Sequence, residues 1–251
     1  TLWQPGFISA FFLSCLAVFL LVLIISRFRG QDLAAASFNG LSASYSNTGY
    51  MGIPLCALAL GQDGLAPAII STFIVFVMFA LATILIEIGI LSHKKFHEIF
   101  WSATKSLCSN PLLIAPVAGL FWSAGDLVLY DPIAQVISFL AAAATPCALV
   151  SIGLFLMQKS EAASSQTWSI TFAKLIIQPV IAWVLAGPVL ELPALWVNAI
   201  VILSALPTGT GPFMLAQYYK ADGSVISRVV LLTTLGSLVT LSLFLWWNGR
   251  V

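Results

Sequence analysis

Apolar stretches about as long as a bilayer is thick follow one another down the chain, separated by short polar turns. At roughly 20 residues per crossing, the pattern predicts eight spans: Phe7 to Ser26, Leu33 to Leu60, Pro67 to Leu91, Ser106 to Ala124, Pro132 to Met157, Trp168 to Leu190, Ala194 to Tyr219 and Val225 to Trp247. Two spans are interrupted by glycine, proline and small polar residues, at Asn47-Thr48-Gly49-Tyr50-Met51-Gly52-Ile53-Pro54 and at Pro207-Thr208-Gly209-Thr210-Gly211-Pro212. A helix broken at membrane depth frees backbone groups that lipid cannot satisfy, so a break persists only where it lines a protein-enclosed or watery site. Two such breaks point to a transporter. The fourth span is the shortest and is itself interrupted by Asn110-Pro111 and Pro116.

Composition places the chain in the membrane. Hydrophobic residues make up 60% of its 251 positions and charged residues 8%, against roughly 45–50% and about 25% in soluble domains. With a net charge of +1, nothing favours a nucleic-acid partner. Lysine and arginine inform through their placement. Arg27, Arg29, Lys94, Lys95, Lys105, Lys159, Lys220 and Arg228 fall in one set of alternate loops, whereas Asp63, Asp126, Asp131 and Glu191 lie in the other. The basic set is expected to be cytoplasmic, which puts both chain ends on the other side of an inner membrane. Cys15, Cys56, Cys108 and Cys147 lack metal-site spacing and read as buried free thiols.

Between the third and fourth spans, His93 to Cys108 alternates Phe96, Ile99, Phe100, Ala103 and Leu107 with Lys95, Glu98, Ser102 and Lys105. That spacing predicts an interfacial helix on the cytoplasmic leaflet, with His93 and His97 on its solvated face rather than on a metal. It divides the chain into residues 1–92, a linker at 93–108, and residues 109–251.

A shift of 159 residues lays Gly52 on Gly211, Ala57 on Ala216, Asp63 on Asp222 and Gly64 on Gly223, and carries the first span onto the sixth. Each break is followed by a half-helix, an Asp-Gly turn and a long span. The order span, broken span, span thus occurs twice. An odd number of crossings separates the copies, which makes them an inverted-topology repeat. The fourth and fifth spans have no partners in the first half. Together with a start at Thr1-Leu2-Trp3 that lacks methionine and any signal-peptide pattern, this leads to the expectation of ten spans in two sets of five, with two missing here.

The motifs Asn47 to Pro54 and Ala205-Leu206-Pro207-Thr208-Gly209-Thr210-Gly211-Pro212 resemble those of the auxin efflux carrier family, particularly its bacterial members, over the whole chain. The resemblance implies an all-α polytopic membrane protein of two inverted five-helix repeats, similar to bile-acid symporters and sodium/proton antiporters, with the broken helices crossing at mid-membrane. It also implies transport of small organic anions such as malate or malonate; plant members move the carboxylate hormone auxin.

The chemistry of a break supports the same class of ligand. Where a half-helix begins, unpaired amides carry about half a positive charge and can hold a carboxylate without a basic side chain. The expected clamps are the half-helices starting near Pro54 and Pro212, since proline suits a first helical position. Gly49, Gly52, Gly209 and Gly211 are expected to let backbone approach the ligand. Asn47, Thr48, Thr208 and Thr210 offer side-chain hydrogen bonds, beside Tyr50 and Pro207. The competing role for these small residues is tight helix crossing. Glu87 and Lys174 lie within spans, which makes them candidates for coupling; snorkelling to the nearby interface is the favoured expectation for both. Asn110 and Gln178 precede prolines and are expected to bond carbonyls freed by the kinks, or else to coordinate substrate or a cation at the crossing. No cofactor is called for. Thr208-Gly209-Thr210-Gly211 lacks the lysine and strand of a phosphate loop, and no catalytic motif appears, so an enzyme is not expected. Proton coupling, sodium coupling and uncoupled movement stay open, as do a homo-oligomer and a channel or sensor built on the same fold.

Overall fold

The computed structural model describes residues 4–91, 128–158 and 163–247, with isolated positions between 114 and 125. The predicted interfacial helix, His93, His97, Asn110 and most of the fourth span lie outside the described residues. Helices account for nearly all of the rest. They are α1 (Pro5–Phe28), α2 (Leu33–Ser44), α3 (Ile53–Leu60), α4 (Leu65–Ile90), α5 (Asp131–Gln158), α6 (Ser165–Val189, wound as successive α and π segments), α7 (Ala194–Ala205), α8 (Gly211–Tyr218) and α9 (Ser224–Trp247). Apart from the fourth, the expected spans coincide with helices within a few residues of their predicted limits. α1, α6, α9 and the Thr48–Ile90 stretch are each long and apolar enough to cross a membrane.

Each end has a local cause. Asp32 caps α2, its carboxylate accepting from Ala35 N–H at 2.7 Å, and Ser164 caps α6 in the same way through Thr167 N–H. Prolines fall at the first or second positions of α1, α3 and α8, where a missing N–H costs nothing. Positive φ occurs at Gly30 after α1, Gly61 after α3, Glu191 after α6 and Lys220 after α8.

α1, α2, α4, α6 and α7 share one core built on Phe7, Phe11, Phe19, Leu41, Met78, Ile86, Ile200 and Leu203, all essentially inaccessible. Small residues allow close approach, as in other membrane bundles. A Cβ on Gly89 would lie 2.5 Å from the Ala34 nitrogen, and one on Gly40 2.8 Å from the Phe19 carbonyl oxygen. At one end of the bundle the C-terminus of α4, the N-termini of α2 and α9, and the ends of α6 and α8 surround a cavity of about 390 Å³ lined by Gln31, Asp32, Asn39, Gln166, Tyr219 and Asp222. Asn39 Nδ2 donates to Gln31 Oε1 at 2.6 Å, and Gln31 Nε2 donates to Gln166 Oε1 at 2.9 Å, tying α1, α2 and α6 together. Cys15 and Cys56 are buried free thiols as expected, but Cys147 is on an exposed face of α5, because an outward thiol in an apolar helix faces lipid without penalty.

Candidate functional site

The two interruptions meet. α2 ends at Ser44 and α3 begins at Ile53; α7 ends at Ala205 and α8 begins at Gly211. The unwound residues between them run antiparallel and pair at Ser46 and Thr208. Asn47 N–H donates to Pro207 O at 3.0 Å and Gly209 N–H to Tyr45 O at 2.9 Å. Each break therefore satisfies part of the other's freed backbone.

Side chains satisfy the rest. The Thr208 hydroxyl donates to Ser42 O at 2.7 Å, and Thr208 N–H donates to Thr233 Oγ1 of α9 at 3.1 Å. Gln178 Nε2 donates to Ser44 O at 3.2 Å and to Cys15 Sγ at 3.3 Å. Lys174 Nζ donates to Ser204 O at 2.7 Å and to Ser46 Oγ at 3.0 Å. Both α6 residues belong to a local distortion: Pro179 brings no N–H to the ladder, and the turn before it, Ala173–Ile177, widens to π geometry. Such bulges re-aim side chains at working parts of helices.

These contacts correct three expectations. Lys174 does not snorkel: it is 0% exposed, because the carbonyl end of a different broken helix offers its ammonium fixed partners. Gln178 serves α2 rather than carbonyls freed by its own kink, while its Oε1 finds no hydrogen-bond partner among the described residues. Glu87 is also held inside, 6% exposed, and accepts from Tyr219 Oη at 2.6 Å, so neither charge reaches for the surface.

Beside the crossing lies a cavity of about 300 Å³. Tyr45, Ser46, Asn47, Thr48, Gly49 and Tyr50 form one side, Gly209, Thr210, Gly211 and Met214 the second, and Thr72, Val75, Phe76 and Phe79 of α4 the third. The α4 wall is largely aromatic, Phe79 packing 5.9 Å from the Tyr45 ring and 6.2 Å from that of Phe76. Among the described residues, none that lines it carries a formal charge. Amides at the start of the Thr48–Gly52 π turn and of α8 have no partner within their own helices. The Thr48 hydroxyl and Asn47 carboxamide make no hydrogen bond among the described residues. That combination suits a small anion with an apolar body.

The residues singled out from the sequence divide between the cavity and its scaffolding. Asn47, Thr48, Gly49, Tyr50, Gly209, Thr210 and Gly211 line the cavity; Gly52, Pro54, Pro207, Thr208 and Pro212 do not. Gly52 is a packing residue, since a Cβ there would meet Leu203 Cδ2 at 2.9 Å and Leu206 Cδ1 at 3.0 Å. At Gly209 and Gly211 the space is taken by the Tyr45 ring, 2.9 and 2.7 Å from the respective Cβ positions. At Gly49 a Cβ would meet nothing nearer than Thr72 Cγ2 at 3.8 Å. Tyr45, Ser46, Thr72, Val75, Phe76, Phe79 and Met214 were not foreseen. Tyr45 and Ser46 directly precede the first motif, but nothing in the α4 sequence marks which of its faces turns to the crossing.

Residues 4–245 match the family described as membrane transport protein. The chain is 29% identical over 231 residues to a protein of Rhizobium meliloti named "Putative malonate transporter", covering 90% of this chain and 71% of that protein. It is 26% identical over 243 residues to an uncharacterized transporter of Methanocaldococcus jannaschii, covering 94% and 76% respectively.

Proposed function

The chain belongs to the membrane transport protein family, that of the auxin efflux carriers, and from that premise we propose that it carries a small organic anion, a carboxylate, across the cytoplasmic membrane by alternating access. The observation that carries the reading is the crossing itself: paired unwound segments with two helix N-termini beside an uncharged, polar-floored cavity of about 300 Å³. That volume is at the small end of ligand pockets and suits a ligand of a few carbons. The name of the Rhizobium relative makes malonate the first probe. In this reading Asn47, Thr48 and Thr210 orient the carboxylate, with Gly49, Tyr50, Gly209 and Gly211 lining its path and Thr208, Gly52, Pro54, Pro207 and Pro212 holding the broken helices in place.

Backbone geometry favours the inverted repeat that alternating access employs. The four positive-φ positions pair across the two halves: Gly30 with Glu191, 161 residues on, and Gly61 with Lys220, 159 residues on. The small difference arises because the first break is longer than the second. The bundle end that gathers Arg27, Arg29, Lys220 and Arg228 is the cytoplasmic one by the positive-inside rule.

The test is counterflow: proteoliposomes loaded with malonate should accumulate labelled malonate, with saturation and with competition by other short carboxylates. Single-channel currents, or binding without translocation, would sink the carrier reading in favour of a channel or sensor. Replacing sodium by N-methylglucamine decides whether sodium takes part.

A further inference from the structure

Lys174 raises a question that the carrier reading leaves open. Its ammonium is fully buried, and among the described residues its hydrogen bonds go only to neutral oxygens, Ser204 O and Ser46 Oγ. α2 and α7 carry no ionisable side chain, and α9 carries only Arg228, in its first two turns; α1 contributes the Cys15 thiol, which accepts from Gln178 one turn further along α6. A cation sealed into a membrane bundle needs compensation from somewhere.

Helix ends supply it. Ser204 is the penultimate residue of α7, and Ser46 lies two residues beyond the end of α2. Each helix C-terminus carries about half a negative charge, so the two together roughly balance one ammonium. What remains uncompensated at the crossing is the opposite pair of ends, the start of the Thr48–Gly52 turn that runs on into α3 and the N-terminus of α8, at about half a positive charge each. They lie on the cavity side, where Thr48 is 2% exposed and its hydroxyl makes no hydrogen bond among the described residues. Without Lys174 the four helix ends would sum to about zero; with it they sum to about one positive charge.

Building on the carrier reading, we propose that Lys174 is a resident cation that neutralises the carbonyl ends of both broken helices, so that the cavity takes a ligand of one net negative charge: a monocarboxylate, or a dicarboxylate with one carboxyl protonated. The lysine stays bonded to Ser46 and Ser204 and acts through the charge of the crossing as a whole. It is a positioning and specificity residue.

Three probes of nearly equal size separate charge from shape: malonate, the monoanion malonamate and the neutral malonamide. Isothermal titration of the purified protein should show malonamate bound at least tenfold more tightly than malonamide. Relative to malonamate, malonate should bind more tightly as pH falls and its second carboxyl is protonated. In Lys174→Met the preference for malonamate over malonamide should shrink to within about threefold. Thr208→Val removes a hydrogen bond from the same crossing without removing charge, and should leave the preference intact. Malonate binding that tightens relative to malonamate with rising pH, or equal binding of malonamide and malonamate, would overturn the proposal while leaving a carrier intact. The same holds if Lys174→Met folds and keeps the full preference. If Lys174→Met fails to fold, the unmodified protein still decides through its pH dependence. Failure of all three probes to bind would remove the carboxylate reading and this inference with it.

Discussion

Gly211→Ala offers a sharp test of how the crossing is packed. A Cβ at this position would lie 2.7 Å from Tyr45 Cζ, 2.8 Å from Cε1 and 2.9 Å from the hydroxyl oxygen. The ring must retreat by roughly half an ångström or more to restore ordinary contact, and its neighbour on the far side is Phe79, 5.9 Å away centroid to centroid. Overpacking of this kind costs about 1–3 kcal/mol. Replacing glycine by alanine in a helix returns up to about 1 kcal/mol, so the net expectation is a loss of about 1–2 kcal/mol. The assay is reversible unfolding in mixed micelles, run as a double-mutant cycle with Tyr45→Ala. Removing the ring removes the clash, so Gly211→Ala should become neutral or slightly stabilising in that background, a coupling of about 1–3 kcal/mol. Gly49→Ala, with 3.8 Å of clearance to Thr72, should be tolerated with or without Tyr45. An equal cost for Gly211→Ala in both backgrounds would refute the assignment of this glycine to the Tyr45 ring.

The Thr208 hydroxyl bonds a carbonyl on the other broken helix, so Thr208→Val should destabilise the bundle by about 1 kcal/mol, the scale of polar bonds between membrane helices, while ligand affinity in binding assays stays close to that of the parent. Asp32→Ala removes the cap of α2 and should cost about 1 kcal/mol. Its signature is faster amide exchange confined to the first turn of α2, and exchange spread through the whole bundle would argue against a local role.

The sequence revealed the breaks because glycine and proline are conspicuous within apolar runs, and helix limits followed from the same punctuation. Asn47 to Tyr50 lining a cavity was likewise legible: short polar side chains at a break have few other uses in lipid. Lys174 was not, because a linear span gives only the distance to the nearest interface. What draws the ammonium inward is a carbonyl 30 positions away in sequence, freed by a different helix. The glycines misled for a related reason. Their pattern shows that something comes close, and only the packed bundle shows that at Gly52 it is Leu203 and Leu206, and at Gly211 the Tyr45 ring.

Pulling Ser46 and Thr208 apart would strip two N–H groups and two carbonyls of their partners inside the membrane, at several kcal/mol each. The crossing therefore behaves as a rivet that fixes one side of the chamber. In the carrier reading, ligand size is then tuned from the opposite wall, where Thr72, Phe76 and Phe79 stand on an unbroken helix and make none of the joint's hydrogen bonds. Carriers with the same rivet are free to diverge in diet by exchanging only those α4 side chains.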